Sequence, residues 1–223
     1  MSVRVVAIDG PAGAGKSSAS RALAARLGFT YVDTGSMYRA VGLLAKERGI
    51  ALDDDPALAR LIDALRIDSA GERLVIDGRD LSAAVRSAEA GELASRVSTR
   101  PVVRERLVAL QRAIGRRGDV VMEGRDIGTV VFPDAGLKVF LTASPEERAR
   151  RRARELAARG EPADERQLAA DIARRDRRDS ERAHSPLRPA ADAVIVDTTG
   201  MDLATVVDRL TALAETRWPA RRV

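Results

Sequence analysis

Residues 10–17 read GPAGAGKS, which fits the pattern G-x-x-x-x-G-K-[ST]. A β-branched apolar run, Val3–Ile8, comes directly before this segment and predicts a buried strand. After it, apolar residues recur at helical spacing from Lys16 to Leu27, and Gly28 is typical of a helix end. A strand, a glycine-rich loop and a helix in this order make a phosphate-binding loop (P-loop), so we expect an α/β fold around a nucleotide site.

The residue types of the loop suit a nucleoside triphosphate. Glycines permit the tight turn that aims several backbone N–H groups at one anion. Lys16 would reach the outer phosphates, and the Ser17 hydroxyl would be a ligand of Mg²⁺. The candidate ATP-binding residues are Gly10, Pro11, Ala12, Gly13, Ala14, Gly15, Lys16, Ser17 and Ser18. A P-loop alone serves ATPases, GTPases and kinases, so other residues must identify the reaction.

The rest of the chain alternates between predicted strands and helices. Further strands are predicted at 29–32, 119–122, 137–141 and 193–196. Helices are predicted at 36–48 with Ser36 as N-cap, at 101–116, from 144 onward with a break at 160–162, and from Asp202. This alternation predicts a five-stranded parallel sheet flanked by helices.

Residues 50–99 interrupt the alternation. Short alternating pieces at 65–68 and 73–76, each followed by a turn, predict a small antiparallel meander. We therefore interpret residues 1–49 and 100–223 as the core and 50–99 as an inserted subdomain. Residues 148–163 are rich in arginine and predict a helical lid, which would close over the nucleotide and exclude water.

The composition narrows the class of protein. The chain has 223 residues, 45% of them hydrophobic, no cysteine and a formal charge of +5. No disulfide, thiolate metal site or cysteine nucleophile is therefore possible. A basic chain can bind nucleic acid, or it can use arginines to hold several phosphates at once. Only 3% of residues are aromatic, which disfavours stacking on single-stranded nucleic acid.

The sequence also gives expectations about location. The N-terminal apolar run is too short for a signal peptide, and no run of about 18 apolar residues occurs. We expect a cytoplasmic protein that does not bind membranes. No heptad pattern is present, so we expect a monomer.

Four blocks carry a resemblance to a known family. GPAGAGKSS, VDTGSMYR, EGRDIGTVVFPDA and RRDRRDSERAHSPL resemble the motifs of bacterial cytidylate kinases, and the match runs from Ile8 to Thr198. The resemblance implies a P-loop kinase fold whose insertion is a monophosphate-binding subdomain. It also implies transfer of the γ-phosphoryl group of ATP to CMP or dCMP with Mg²⁺. Glu123 departs from the pattern, which often has Asp there, and Arg177 replaces an acid found in some members.

The resemblance also implies residue roles. The CMP phosphate would be held by Thr34, Tyr38, Arg39, Arg125 and Arg182. Ser95, Arg104 and Asp126 would read the cytosine, and Arg175 and Asp179 would contact the sugar. Four residues would act in catalysis: Lys16 would hold ATP, and Arg125, Arg182 and the lid residue Arg151 would neutralise the transferring group. The chemistry agrees, because cytosine shows an amino donor beside ring acceptors and so complements a carboxylate with an arginine.

Three alternatives stay open. The chain could be a kinase for another small acceptor, such as UMP, AMP or shikimate. It could be a P-loop ATPase that binds nucleic acid, in which case DNA or RNA would stimulate hydrolysis. It could also bind nucleotides without catalysis, which only an assay excludes.

Overall fold

The computed structural model describes residues 3–158, 160–161 and 164–219. Its main sheet has five parallel strands in the order β2-β6-β1-β7-β8. These strands are β1 (Val5–Asp9), β2 (Thr30–Asp33), β6 (Val120–Gly124), β7 (Leu137–Thr142) and β8 (Val194–Asp197). The predicted five-stranded parallel sheet is confirmed, and β1, which leads into the P-loop, lies at its centre.

Helices cover both faces of the sheet. They are α1 (Lys16–Leu27), α2 (Thr34–Glu47), α3 (Asp55–Ala64), α4 (Ala88–Val97), α5 (Pro101–Gly115), α6 (Pro145–Ala157), α7 (Glu165–Ser180) and α8 (Leu203–Arg217). A 3₁₀ turn spans Ala84–Arg86, and a five-residue π-helix spans Ile127–Val131. None of the helices in the described ranges is long and apolar enough to cross a membrane.

Strand β1 explains why the core has two halves. All five of its residues are buried. Val5 and Ala7 face a hydrophobic cluster that includes residues of α2, α3 and α5, whereas Val6 and Ile8 face a second cluster that includes residues of α1 and α8. Alternate side chains of a strand point to opposite faces, and this strand is covered on both, which explains why its first four residues are all apolar.

Helix ends follow short-range capping rules. Helix α1 ends at Gly28, whose φ of 67° is left-handed and therefore suits glycine. The prediction that Ser36 caps α2 is wrong. The helix begins two residues earlier, at Thr34, and its N-cap is Asp33, whose carboxylate accepts from the Ser36 N–H at 3.1 Å. Ser36 lies in the first turn and donates its hydroxyl to the Asp33 carbonyl.

A second sheet lies within residues 50–99. It is antiparallel and consists of β3 (Ile67–Ala70), β4 (Arg73–Ile76) and β5 (Arg79–Asp80). The turn between β3 and β4 contacts the core, because Gly71 N–H donates to the Tyr31 carbonyl at 3.1 Å. The sequence did not predict helix α4, which packs on α2. The division into core, insertion and lid stays a prediction, and lid positions 159, 162 and 163 lie outside the described residues.

Candidate active site

A cleft of about 780 Å³ opens at the carboxyl ends of β1, β2 and β6. Open α/β sheets place their ligands at this edge. The cleft brings together most of the predicted site residues: Ala12, Gly13, Gly15, Lys16, Ser17, Ser18, Thr34, Tyr38, Arg39, Ser95, Arg104, Arg125, Asp126, Arg175, Asp179 and Arg182. Three loop residues, Gly10, Pro11 and Ala14, and the lid residue Arg151 are not among its lining residues.

The P-loop takes a backbone path that needs glycine. Gly13 and Gly15 have φ of 75° and 85°, in the left-handed region. A Cβ on Gly10 would lie 2.0 Å from the Leu141 carbonyl oxygen, so no other residue fits there. The Lys16 ammonium donates to the Pro11 carbonyl at 2.7 Å. Burial, and then the charge of Arg125, lower the pKa of Lys16.

An ion pair between α6 and α7 holds the outer side of the loop. Arg148 donates to the Ala12 carbonyl at 3.1 Å and forms a salt bridge with Asp176. The Ala12 N–H in turn donates to Asp176 at 3.3 Å. Both backbone groups of Ala12 are therefore bound by one pair of side chains, which stabilises the loop without its ligand.

The structure does not bring Arg151 to the cleft. Its guanidinium donates to the Thr198 carbonyl at 2.6 Å and to the Thr198 hydroxyl at 2.9 Å. It also forms a salt bridge with Glu147 at 3.0 Å. These partners hold Arg151 between the loop after β8 and the P-loop, where its guanidinium also donates to the Ala14 carbonyl at 3.5 Å. Its role in neutralising the transferring group stays a prediction. Arg152, one residue further on, does line the cleft.

Glu123 is the penultimate residue of β6 and lines the cleft. Its side chain accepts from the Tyr31 hydroxyl at 2.5 Å. Burial, and then the neighbouring Asp33 carboxylate, raise the pKa of Glu123, whereas Lys16 lowers it. The sequence left the role of Glu123 open and did not single out Tyr31. Their contact depends on the pairing of β2 with β6, which the sequence does not predict.

Replacing Tyr31 with phenylalanine should lower the free energy of unfolding by about 2 kcal/mol, because a buried carboxylate loses a donor. Urea denaturation measures this loss. The matched control is Tyr38→Phe: Tyr38 is equally buried, but its hydroxyl makes no hydrogen bond of normal geometry among the described residues, although Gln111 lies near it. Equal losses in the two variants would mean that the bond from Tyr31 to Glu123 contributes no net stability.

Across the cleft, Arg104 and Asp126 form a buried salt bridge, and their side chains are only 5% and 7% exposed. The Arg104 guanidinium also lies 5.7 Å from the centre of the Tyr38 ring, within the range of a cation–π contact. Ser95 is buried nearby, and its hydroxyl has no partner among the described residues. This pocket therefore presents a carboxylate, a guanidinium and an unpaired hydroxyl to a ligand.

Arginines surround one carboxylate between these two regions. Arg125 forms a salt bridge with Asp179 at 3.0 Å. Burial alone would raise the pKa of Asp179, but the charges of Arg125, Arg175 and Arg182 together hold it below its usual value. Burial, and then the charge of Arg125, lower the pKa of Arg175 to about 10. Three guanidiniums act on the Asp179 carboxylate, and this cluster of positive charge suits a phosphate dianion.

A central parallel strand that leads into a P-loop, together with a second arginine-lined pocket in the same cleft, defines the P-loop kinase class. Similarity to known proteins identifies the family within this class. The family model described as Cytidylate kinase matches residues 6–216. The chain belongs to the cytidylate kinase family, which confirms the resemblance seen in the motifs.

Individual relatives are similar over nearly the whole chain. The cytidylate kinase of Pelotomaculum thermopropionicum is 54% identical over 212 residues, which cover 93% of this chain and 94% of that protein. The cytidylate kinase of Geobacter sp. (strain M21) is 52% identical over 208 residues, which cover 92% and 89%. A crystal structure of an uncharacterized protein from Eubacterium ventriosum superposes with a TM-score of 0.52 at 12% identity over 94% and 96% of the chains, a likeness of fold alone.

Proposed function

We propose that this chain transfers the γ-phosphoryl group of ATP to CMP or dCMP, giving ADP and CDP or dCDP. The observation that carries the proposal is the presence of a P-loop and a buried Arg104–Asp126 pair in one cleft of a cytidylate kinase family member. The P-loop suits the donor, and the buried pair suits a cytosine base.

The donor phosphates would be bound by the N–H groups of the loop and the positive end of α1. Lys16 would turn from the Pro11 carbonyl to the outer phosphates, where their charge would raise its lowered pKa again. This arrangement places a positive charge beside the phosphoryl group as its bond to the leaving oxygen breaks.

The residues around Ser17 fit Mg²⁺, which prefers oxygen ligands. The Ser17 hydroxyl would hold the ion. The Glu123 carboxylate lies beside the Ser17 side chain. No group of three or more His, Cys, Asp or Glu side chains gathers as a metal site within the described ranges. A site with few protein ligands suits an ion bound mainly by phosphates and water, which would neutralise phosphate charge.

The acceptor would lie with its phosphate against Thr34, Tyr38, Arg39, Arg125 and Arg182. Arg175 and Asp179 would contact the sugar, and Ser95, Arg104 and Asp126 the base. A phosphate oxygen of CMP would attack the γ-phosphorus of ATP, and ADP would leave. That oxygen is already ionised at neutral pH, so no general base is needed and catalysis consists of positioning and charge stabilisation.

The base pocket favours CMP over the alternative acceptors. A carboxylate at Asp126 would accept from the cytosine amino group, whereas it would repel the O4 atom of uracil. A shikimate acceptor needs no base-reading pair. A pocket for a single base also argues against DNA or RNA as a partner. We propose separately that the enzyme acts as a cytoplasmic monomer.

A coupled assay with ATP and Mg²⁺ against CMP, dCMP, UMP and AMP tests the proposal. We expect kcat/KM for CMP or dCMP to exceed that for UMP by at least about tenfold, the discrimination typical of one well-placed pair. Equal values for CMP and UMP would overturn the proposed base reading. ATP hydrolysis stimulated by nucleic acid, with no acceptor preference, would support the ATPase alternative instead.

A further inference from the structure

The Asp9 side chain joins the P-loop, where the donor would bind, to the segment with Arg125 and Asp126, where the acceptor would bind. Asp9 is the last residue of β1 and directly precedes the P-loop. Its carboxylate accepts from the backbone N–H groups of Ile127 and Gly128, both at 2.8 Å. Asp9 is buried. The carboxylate therefore binds a segment more than a hundred residues further along the chain, and its charge also acts on Lys16 of the P-loop.

That segment carries the residues of the acceptor half. Ile127 and Gly128 begin the π-helix, and they directly follow Arg125 and Asp126. Asp9 thus binds the end of the π-helix that adjoins these two side chains. The other end is bound by Arg112, which donates to the carbonyls of residues 130 and 131 at 2.6 and 2.9 Å.

We propose that Asp9 is a positioning residue that sets the place of Arg125 and Asp126 relative to the P-loop. The inference rests on the proposed function. The acceptor phosphate must be placed relative to the γ-phosphorus with an accuracy of a few tenths of an ångström. A misplacement of about 1 Å can cost roughly 100-fold in rate. Asp9 supplies two hydrogen bonds that join the start of the donor loop to the start of the acceptor segment.

The cost of burying Asp9 supports a specific role. Burial raises the pKa of the Asp9 carboxyl to about 6, although the two backbone hydrogen bonds oppose that shift. An apolar side chain at the end of a buried strand would avoid this cost but would leave two buried N–H groups without an acceptor.

The effect of losing Asp9 should fall on the acceptor half. The P-loop has other contacts. Arg148 and Asp176 bind the backbone of Ala12, and the Lys16 ammonium binds the Pro11 carbonyl. The hydrogen bonds found for the Ile127 and Gly128 N–H groups both go to Asp9. Weakening them should displace Arg125 and Asp126 while the loop keeps its shape.

The test is Asp9→Asn, which keeps the size of the side chain but turns one acceptor oxygen into a donor. We expect CMP to bind about tenfold more weakly by calorimetry, and ADP within about twofold of the parent, because a tenfold loss is about 1.4 kcal/mol, the order of one lost hydrogen bond. In kinetics, KM for CMP should rise while KM for ATP stays constant. Hydrogen–deuterium exchange should quicken in peptides covering residues 125–131.

The matched control is Asp119→Asn. Asp119 lies at the other end of the same strand pair, just before β6, and accepts from the Arg4 N–H at 2.7 Å. It therefore also bonds the flank of β1 to that of β6, but away from the cleft. CMP affinity and exchange over residues 125–131 should stay at parent values in this variant.

Unchanged CMP affinity in folded Asp9→Asn would overturn the inference, and so would equal losses for CMP and ADP. If that variant does not fold, Asp9→Glu replaces it, because glutamate keeps the charge but displaces the oxygens by a methylene. Parent-like CMP affinity in Asp9→Glu would again overturn the positioning role. Failure of the proposed function is distinguishable, since the parent protein itself would then not bind CMP.

Discussion

Replacing Lys16 with alanine should lower kcat by roughly 1000-fold or more, at the upper end of what one oriented charge contributes to a transition state. Lys16 is the charge of the P-loop, and it lies buried against the Pro11 carbonyl. The fold should survive, because burial disfavours the charged ammonium and its removal relieves that penalty. Steady-state kinetics with saturating ATP, Mg²⁺ and CMP measure the loss, and thermal unfolding checks the fold.

The chain offers a matched lysine. Only three lysines occur, Lys16, Lys46 and Lys138. Lys46 is exposed on α2 and forms a salt bridge with Glu89, away from the lining of the cleft. Lys46→Ala should keep parent activity. Near-normal turnover in a folded Lys16→Ala variant would remove Lys16 from the mechanism and weaken the donor half of the proposal.

Local signals account for most of the fold that the sequence predicts. The apolar run before Gly10, the helical spacing up to Leu27 and the glycine at position 28 all act within a few residues, and the structure has these elements in place. The error at α2 is also local. Asp33 and Ser36 are both good N-caps, and the sequence alone does not decide which of them precedes the helix.

Long-range partners explain what the sequence missed in the site. Arg104 and Asp126 were predicted from the resemblance to a family, and the cleft brings them together. Asp9 and Tyr31 were not singled out, because their partners lie 118 and 92 residues away. A carboxylate at a strand end predicts a polar edge of the sheet, but its partner follows only from strand order. Arg151 was predicted as a site residue, but its contacts with the loop after β8 likewise follow only from strand order.

Several guanidiniums of the cleft are paired with carboxylates of the protein, such as Arg104 with Asp126 and Arg125 with Asp179. These pairs hold the positive groups in place before a ligand arrives, so less ordering is needed on binding. A phosphate or a base that enters the cleft then adds to a network whose geometry already exists.

Replacing Asp126 with asparagine should change which base the enzyme accepts. The carboxylate accepts from the cytosine amino group in our proposal, whereas an asparagine amide can turn its donor toward uracil O4. We expect kcat/KM for CMP to fall roughly 100-fold and that for UMP to fall much less. The discrimination between the two bases should therefore drop by at least about tenfold, which the coupled assay with both acceptors measures.

Stability must be separated from recognition in this variant, because it leaves Arg104 buried without its partner, a change that typically costs about 3–5 kcal/mol. Rates are therefore normalised to the folded fraction. The control is Asp63→Asn, which removes a carboxylate from Arg106 on the same helix, α5, but in an exposed pair at 2.8 Å. Asp63→Asn should keep the parent preference for CMP. If Asp126→Asn lost activity with CMP and UMP in equal proportion, Asp126 would support the pocket without reading the base.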